Sequence, residues 1–199
     1  MALTIYGSPR SRTMRTLWAA AELGLAYDLI PHDSDSPLLR SDAFLALNPA
    51  GAIPMIVDDG VVVAESLAIN LYLAKRYGGA GPEPLYPHGA QAEADVWRWS
   101  LWAQGHLEPW VQQDARLAEL RRELADAEIA RSLTTLDRAL QQRPWLAAAH
   151  FTVADLNVAG VLSPSRSQHL RLTDYPAVGE WLARCYSRPA AQATRKQYG

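Results

Sequence analysis

The first part of the chain alternates short apolar runs with helical patterns. Leu3–Tyr6 predicts a strand, and apolar residues at helical spacing predict a helix from about Ser11 to Leu23, which Gly24 would end. Tyr27–Ile30 predicts a second strand, followed by a polar stretch with a short helix around Asp42 to Leu47. A strand, a helix and a strand in this order favour a right-handed crossover and a parallel strand pair.

The next stretch predicts a hairpin and a further helix. Strands are expected over Ile53–Val57 and Val61–Val63, and Asp59-Gly60 between them is typical of a tight turn, because glycine adopts a positive φ at little cost. A helix then begins near Glu65 and runs to about Tyr77. The resulting order of elements, βαβ-α-ββα, is that of a thioredoxin-like domain.

The rest of the chain predicts a linker and a helical domain. Residues 79–89 are dense in Gly and Pro and show no periodic pattern, which indicates a linker. Helical patterns then cover Ala90–Gln113, Arg116–Gln142, Thr152–Leu162 and Pro176–Tyr186. The predicted fold is therefore α/β plus all-α, with a thioredoxin-like domain over residues 1–78 and an all-helical domain over residues 90–199.

Composition and charge exclude several classes of function. Hydrophobic residues make up 49% of the chain and charged residues 20%, which allows a packed core. The net charge of -2 gives no basic footprint for a nucleic acid. No apolar run approaches the roughly 20 residues that span a membrane, and the first residues do not form a signal peptide pattern, so we expect a cytoplasmic protein. Cys185 is the only cysteine, which rules out an internal disulfide, a CxxC redox pair and a Cys-based zinc site.

Two neighbouring features of the Asn48–Gly78 stretch suggest a site for a small peptide-like ligand. Pro54 lies at the head of a strand and cannot donate to the sheet there, so it belongs at an edge or in a cis turn that exposes the neighbouring backbone. Glu65 and Ser66 stand at a helix start, where backbone N–H groups bind carboxylates. A strand edge beside such a helix start suits a ligand that has both a backbone and a carboxylate.

This stretch resembles the glutathione-binding half of the glutathione S-transferase family, and the resemblance covers nearly the whole chain. The family places a thiol-activating residue in the loop after the first strand, and Ser11, four residues before Arg15, looks most similar to its serine-type members. A hydroxyl that donates to sulfur at a helix N-terminus favours the reactive thiolate. Two alternatives stay open: Ser11 caps the first helix, or Ser8 is the activating serine.

The resemblance also implies how glutathione is held. Ser66 would bind the α-carboxylate of the γ-glutamyl end, and Glu65 would bind its α-ammonium through a charge-assisted hydrogen bond. Ile53 would pair with the cysteinyl main chain through its own backbone, next to a cis bond before Pro54.

The glycyl end of glutathione has no obvious side-chain partner. Many relatives carry Gln, Lys or Arg two positions before the proline, where this chain has Ala52. Arg40 lies in the segment where relatives often place a Lys or His for the glycyl carboxylate, and a guanidinium can bind a carboxylate bidentately. The alternative is that Arg40 is an ordinary surface residue.

The second substrate would meet an aromatic helix face. Trp102, His106 and Trp110 are four residues apart and so are expected on one face of one helix, which in the family borders the hydrophobic substrate site. Arg12, beside Ser11, is a further candidate for that site. Core packing for the tryptophans and a dimer or domain contact for His106 are the alternatives.

The resemblance implies a cytosolic, homodimeric detoxification enzyme that joins glutathione, as a co-substrate, to a hydrophobic electrophile, with no cofactor and no metal. A non-catalytic binding or interaction module and a glutathione-dependent isomerase remain as alternatives. The isomerase is disfavoured, because such relatives carry Ser-Ser-Cys in the first loop, where this chain has Arg10–Thr13.

Overall fold

The protein is described by a computed structural model that covers residues 3–111, 122–164 and 170–199. The chain forms two compact units, one made of Met1–Gly79 with Arg188–Gly199 and the other of Ala80–Ser187. The sequence assigns all of residues 90–199 to the helical domain, whereas the segment from Arg188 onward groups with the first unit. The contacts of that segment, described below, give the physical reason.

The helices of the described residues agree with most of the predicted ones. In chain order they are α1 Thr13–Glu22, α2 Asp42–Leu47, α3 Ser66–Tyr77, α4 Ala90–Trp102, α5 Glu108–Val111, α6 Arg122–Gln142, α7 Val153–Val161, α8 Pro176–Tyr186 and α9 Pro189–Tyr198. Short 3-10 turns cover Pro37–Arg40 and Leu172–Asp174. The part of the predicted Arg116–Gln142 helix before residue 122 lies outside the described residues.

The first unit contains a four-stranded sheet in the order β2-β1-β3-β4. Its strands are β1 Leu3–Tyr6, β2 Asp28–Ile30, β3 Met55–Asp58 and β4 Val61–Ala64. β1 and β2 are parallel, as predicted, and the other two pairs are antiparallel. β3 begins two residues later than predicted, which leaves Pro54 outside the ladder, where its missing N–H has no cost.

The two faces of this sheet build separate cores. Leu3, Ile5 and Ile56 pack with the apolar faces of α1 and α3, which contribute Leu17 and Ile69. Because side chains alternate along a strand, Tyr6 and Met55 point the other way and meet Leu39 and Phe44. The sheet therefore places the residues that follow β1 and precede β3 beside one another.

A buried carboxylate ties the hairpin to α3. Asp58 is fully buried and accepts hydrogen bonds from the hydroxyls of Tyr72 and Tyr77, both at 2.9 Å or less, and pairs with Arg76 at 3.2 Å. Burial raises the pKa of both tyrosines, and their hydrogen bonds to Asp58 raise it further. The cluster is structural, because it keeps the end of β3 in contact with the last turns of α3.

The helix α9 is held on the first unit by specific polar contacts. Arg188 donates two hydrogen bonds to the Glu22 carboxylate, at 2.8 and 2.9 Å, and Trp18 donates to the same carboxylate at 2.9 Å. At the other end of α9, the Tyr198 hydroxyl lies 3.0 Å from that of Tyr27. Charge-assisted bonds of this kind are strong, which accounts for the grouping of Arg188–Gly199 with the first unit.

The second unit is built from helices joined by irregular segments, and its first long helix contains a π-helical turn. The sequence predicts one helix over Ala90–Gln113, and its described residues are helical, with a π-helical turn over Ala103–Leu107 between α4 and α5. Pro109 has no N–H to donate to the Gly105 carbonyl one α-turn earlier, and its ring would clash with that carbonyl. The wider turn relieves this clash. Within the turn, the His106 carbonyl accepts a hydrogen bond from the Ser132 hydroxyl at 3.1 Å.

The start of α7 confirms the predicted capping box. Thr152 is its N-cap, and the Asp155 carboxylate accepts a hydrogen bond from the Thr152 N–H at 2.9 Å. The same carboxylate accepts from the Leu146 N–H at 3.0 Å and from the Trp181 ring N–H at 2.9 Å. Burial raises the Asp155 pKa, and these hydrogen bonds oppose that shift. The role of both residues is structural, as the sequence indicates.

Candidate functional site

The loop from Gly7 to Arg12 joins β1 to α1. Gly7 has a φ of +143°, and a Cβ at this position would collide with the Thr13 hydroxyl, so the close approach of the loop to α1 requires glycine. α1 begins at Thr13 with Arg12 as its N-cap, two residues later than predicted. Ser11 therefore lies in the turn just before the helix.

The Ser11 hydroxyl is fully engaged in this turn. It donates to the Ser8 carbonyl at 2.7 Å, accepts from the Thr13 N–H at 3.1 Å and lies 2.8 Å from the Thr13 hydroxyl. Ser11 is half-buried, so that its side chain still reaches the surface. The hydrogen bond from the Thr13 amide satisfies a backbone donor at the first residue of α1, although Arg12 is the N-cap.

Ser8 differs from Ser11 in its surroundings. Its side chain is only 8% exposed, and its hydroxyl accepts the Arg10 N–H at 3.4 Å. Of the two serines, Ser11 is therefore the more accessible to a ligand.

The N-terminus of α3 forms the second part of the site. Ser66 is its first residue and is 3% exposed, whereas the preceding Glu65 is exposed. Glu65 has a φ of +70° and a ψ of 115°, a conformation that non-glycine residues rarely adopt and that costs on the order of 1–3 kcal/mol. Such local strain is typical of functional sites, and here it sets the direction in which the Glu65 side chain leaves the backbone.

Arg15 joins the two parts and was missed as a site residue by the sequence analysis. It lies one turn after Ser11 on α1, is buried, and donates a hydrogen bond to the Ser66 hydroxyl at 3.2 Å. A guanidinium beside the N-terminus of a 12-residue helix adds positive potential to a place that already favours anions. In the sequence, Arg15 is recognisable as a charged residue within the apolar pattern of α1, four residues after Ser11.

The loop that precedes β3 is rigidly held. The bond between Ile53 and Pro54 is cis, in agreement with the resemblance. The buried Asn48 side chain donates to the Ala52 carbonyl at 2.8 Å and accepts from the Ala50 N–H at 3.2 Å. Ile53 itself lies outside the paired residues of β3. Asn48 carries no chemistry of its own but fixes the backbone next to Ile53.

Arg40 lies against the same loop. Its guanidinium donates to the Gly51 carbonyl at 2.5 Å, and Gly51 has a φ of +56°. A Cβ at Gly51 would meet the Arg40 guanidinium and lie 2.8 Å from the Leu39 carbonyl oxygen, which with the positive φ requires glycine here. Arg40 is exposed and has further N–H groups, since a guanidinium carries five donors. The structure thus brings Arg40 to the loop of Ala52 and Ile53.

The residues predicted for the second substrate are dispersed over several elements. Trp102 ends α4, is half-buried and packs edge-on against Trp99, with 5.2 Å between ring centroids. His106 is exposed in the π-turn, and Trp110 is half-buried in α5. The π-turn over Ala103–Leu107 lies between Trp102 and Trp110, and a common face for the three side chains stays a prediction. Arg12 is exposed and lies in the first unit, beside Ser11.

Two kinds of feature are absent from the described residues. Within residues 3–111, 122–164 and 170–199, no group of three or more His, Cys, Asp and Glu side chains is placed to hold a metal ion. In the same ranges, no helix combines the length and the apolar character needed to cross a membrane.

Comparison with known proteins agrees with this geometry. The family model for the glutathione S-transferase N-terminal domain matches residues 1–75, and the model for the glutathione S-transferase C-terminal domain matches residues 102–184. Glutathione S-transferase 3 of Zea mays is 31% identical, with 96% of this chain and 92% of the maize protein aligned. Disulfide-bond oxidoreductase YfcG of Escherichia coli (strain K12) is 28% identical, with 94% and 92% aligned.

A solved structure supports the same assignment. The crystal structure of a glutathione S-transferase from Xanthobacter autotrophicus Py2 has a TM-score of 0.81 to this chain and 27% sequence identity, and the match covers 94% of each chain. In both its thioredoxin-like and its helical part, this chain belongs to the glutathione S-transferase family.

Proposed function

We propose that this glutathione transferase activates the thiol of glutathione through Ser11 and conjugates it to a hydrophobic electrophile. The observation that carries the proposal is the placement of Ser11, whose half-buried hydroxyl stands directly before α1, one helical turn from an arginine that contacts the N-terminus of α3. The thiol activator and the anion-binding helix start are thereby joined through α1.

The chemistry needs no general base. The thiol of glutathione has an unperturbed pKa near that of free cysteine, about 8.5, and only the thiolate is reactive. A hydrogen bond from Ser11 to the sulfur, next to the N-terminus of α1, favours the anion and lowers this pKa. Ser11 keeps its proton throughout, and the thiol proton leaves to solvent.

The same unit offers partners along the length of glutathione. We assign the γ-glutamyl carboxylate to the Ser66 hydroxyl and the α3 N-terminus, with Arg15 behind it, and the α-ammonium to Glu65. The backbone of Ile53, before the cis bond to Pro54, is assigned to the cysteinyl main chain. Arg40 is assigned to the glycyl carboxylate. This assignment is supported by the contact of its guanidinium with the loop that contains Ala52.

The remaining parts of the proposal concern the second substrate and the assembly. Trp102, His106, Trp110 and Arg12 are assigned to a flat, aromatic electrophile. We further propose a cytoplasmic homodimer; Trp97 and Leu101 on α4, which are 47% and 64% exposed and one turn apart, supply an apolar face for a second copy. Sedimentation of the purified protein tests this directly, because a monomer at micromolar concentration would refute it.

The Ser11→Ala variant tests the catalytic proposal. We expect it to bind to immobilised glutathione as the wild type does, but to lose most of its conjugation of an aromatic halide, because the sulfur loses its hydrogen-bond donor. Thermal unfolding of both proteins shows whether the fold is retained. Wild-type turnover in a folded Ser11→Ala variant would remove Ser11 from the mechanism.

A second assay separates conjugation from other glutathione chemistry. The wild type is tested for glutathione-dependent reduction of a small disulfide alongside the aromatic halide. Disulfide reduction without conjugation would contradict the proposal. Conjugation that depends on Ser11 would support it.

A further inference from the structure

The direction of the hydrogen bond between the Ser11 and Thr13 hydroxyls determines where the Ser11 proton points. A serine hydroxyl has one proton to donate and two lone pairs that accept. Ser11 Oγ has three partners within hydrogen-bond distance: the Ser8 carbonyl at 2.7 Å, the Thr13 N–H at 3.1 Å and the Thr13 hydroxyl at 2.8 Å. The direction of the bond between the two hydroxyls therefore decides whether the Ser11 proton is available to a ligand.

The burial of Thr13 determines this direction. Thr13 is fully buried, and among the described residues the only partner of its hydroxyl is Ser11 Oγ. Were Ser11 to donate to Thr13, the Thr13 proton would be buried without an acceptor, which is unfavourable. Were Thr13 to donate to Ser11, both protons would have acceptors, because the Ser11 proton is then directed to the Ser8 carbonyl. The second arrangement is the stable one.

Packing holds the Thr13 side chain in place for this bond. A Cβ at Gly7 would overlap the Thr13 hydroxyl and lie 3.2 Å from Thr13 Cβ and 3.3 Å from Ile53 Cβ. The hydroxyl therefore occupies the space that the missing side chain of Gly7 leaves between β1 and α1. Because Thr13 is fully buried and packed against Gly7, its hydroxyl has little freedom to turn away from Ser11.

We propose that Thr13 is a positioning residue that directs the Ser11 proton. Its N–H and its hydroxyl occupy both lone pairs of Ser11 Oγ, so that Ser11 is left with its proton to give, to the Ser8 carbonyl in the free protein and to the glutathione sulfur in the complex. Two donors on the same oxygen also polarise it and make it a stronger donor in turn. The inference rests on the proposed role of Ser11 and adds the residue that prepares it.

The experiment compares Thr13→Val with Thr13→Ser and with Thr16→Val as a matched control. Thr16 lies on the same helix, is equally buried, and has a hydroxyl without a hydrogen-bond partner among the described residues. For each variant, the pKa of bound glutathione is measured from the ultraviolet absorbance of the thiolate, and kcat/KM is measured over the same range of pH.

Thr13→Val should raise the pKa of the bound thiol by about half a unit to one unit. It should lower kcat/KM below that pKa by about threefold to tenfold, which is the effect of one hydrogen bond, with an unchanged KM for glutathione. Thr13→Ser keeps the hydroxyl and should match the wild type, as should Thr16→Val. A thiol pKa of wild-type value in Thr13→Val, or a shifted one in Thr13→Ser, would overturn the inference.

The failure of this inference is distinguishable from the failure of the proposed function. If Ser11→Ala loses the bound thiolate and Thr13→Val keeps it, the role of Thr13 is wrong and that of Ser11 stands. If Ser11→Ala keeps the thiolate, both are wrong. Thermal unfolding reports the integrity of each variant, and should Thr13→Val not fold, a wild-type thiol pKa in Thr13→Ala overturns the inference equally.

Discussion

The pair of Glu22 and Arg188 should be strongly coupled, and its coupling free energy is measurable by a double-mutant cycle. Arg188→Met removes the guanidinium and keeps much of the apolar stem, and Glu22→Gln removes the charge of its partner. The cycle compares each single variant and the double variant with the wild type. If α9 is held by this contact, the two changes together should cost less than the sum of the two taken singly.

The geometry sets the expected magnitude. The Glu22 side chain is 6% exposed and the Arg188 side chain 34%, and their two hydrogen bonds are 2.8 and 2.9 Å long. Exposed ion pairs contribute about 0–1 kcal/mol, and breaking a fully buried pair costs about 3–5 kcal/mol. Because one partner is buried and the other is partly solvated, we expect a coupling of about 2 kcal/mol. After Arg188→Met, Trp18 still donates to the Glu22 carboxylate and limits the loss.

Urea unfolding of the wild type and the variants gives the free energies. Hydrogen exchange of the amides in Pro189–Tyr198 should quicken in Arg188→Met, because α9 opens more readily. The pair of Arg171 and Asp174 provides a control within the same chain, since its side chains are 86% and 55% exposed and 3.7 Å apart. Its cycle should give less than about 0.5 kcal/mol.

Equal coupling free energies for the two ion pairs would refute this expectation. A coupling below about 0.5 kcal/mol for Glu22 and Arg188 would mean that neither the burial of Glu22 nor the two hydrogen bonds strengthens this ion pair. The attachment of α9 would then have to come from its apolar contacts alone. Unchanged hydrogen exchange of α9 in Arg188→Met would lead to the same conclusion.

Two other outcomes concern stability. Asp155→Asn should lower the free energy of unfolding, measured in urea, by about 2–5 kcal/mol. The reason is that an amide nitrogen cannot accept the hydrogen bonds that one carboxylate oxygen now accepts from Thr152. A loss below about 1 kcal/mol would contradict this. Stability should be retained up to a pH of about 10, the ordinary tyrosine pKa, and fall above it. The cause is that burial, with the Tyr198 hydrogen bond, raises the pKa of Tyr27, so that the proton leaves more easily from the unfolded chain. Tyr27→Phe should make that fall shallower, and an equally steep fall would count against the assignment.

Short-range signals explain why much of the fold is predictable from the sequence. The turn at Asp59-Gly60 has φ values of 48° and 87°, as the hairpin signal requires, and α2 spans the predicted Asp42–Leu47. The capping box of Thr152 and Asp155 is likewise present. Each of these features depends on a few adjacent residues whose conformational preferences act before any tertiary contact forms.

Features that depend on distant partners were not predictable in this way. The grouping of α9 with the first unit rests on its contacts with Glu22 and Tyr27. No sequence pattern indicates that these two residues contact Arg188 and Tyr198. The π-turn has a local cause in Pro109, but a proline inside a helical pattern can also kink or end the helix. In the structure the π-turn forms, and the His106 carbonyl within it accepts a hydrogen bond from Ser132 on α6.

The candidate site shows the same division. Ser11 lies in the loop after β1 and Ser66 at the start of α3, as the resemblance implies, because loops and helix starts follow from the order of strands and helices. Their hydrogen-bond partners depend on packing instead. Arg15 reaches Ser66 from another helix, and the proton of Ser11 is directed by a buried neighbour that resembles any other threonine in the sequence.

The attachment of α9 also has a consequence for the order in which the protein is made. A ribosome adds about 5–20 residues per second, so that synthesis of the intervening Ala80–Ser187 takes on the order of ten seconds. During that time the first unit exists without the helix that covers Glu22 and Trp18. The thioredoxin-like part of the chain therefore emerges before the helical unit but is completed only after it, and translation that stops before Arg188 leaves the Glu22 carboxylate without its counter-ion.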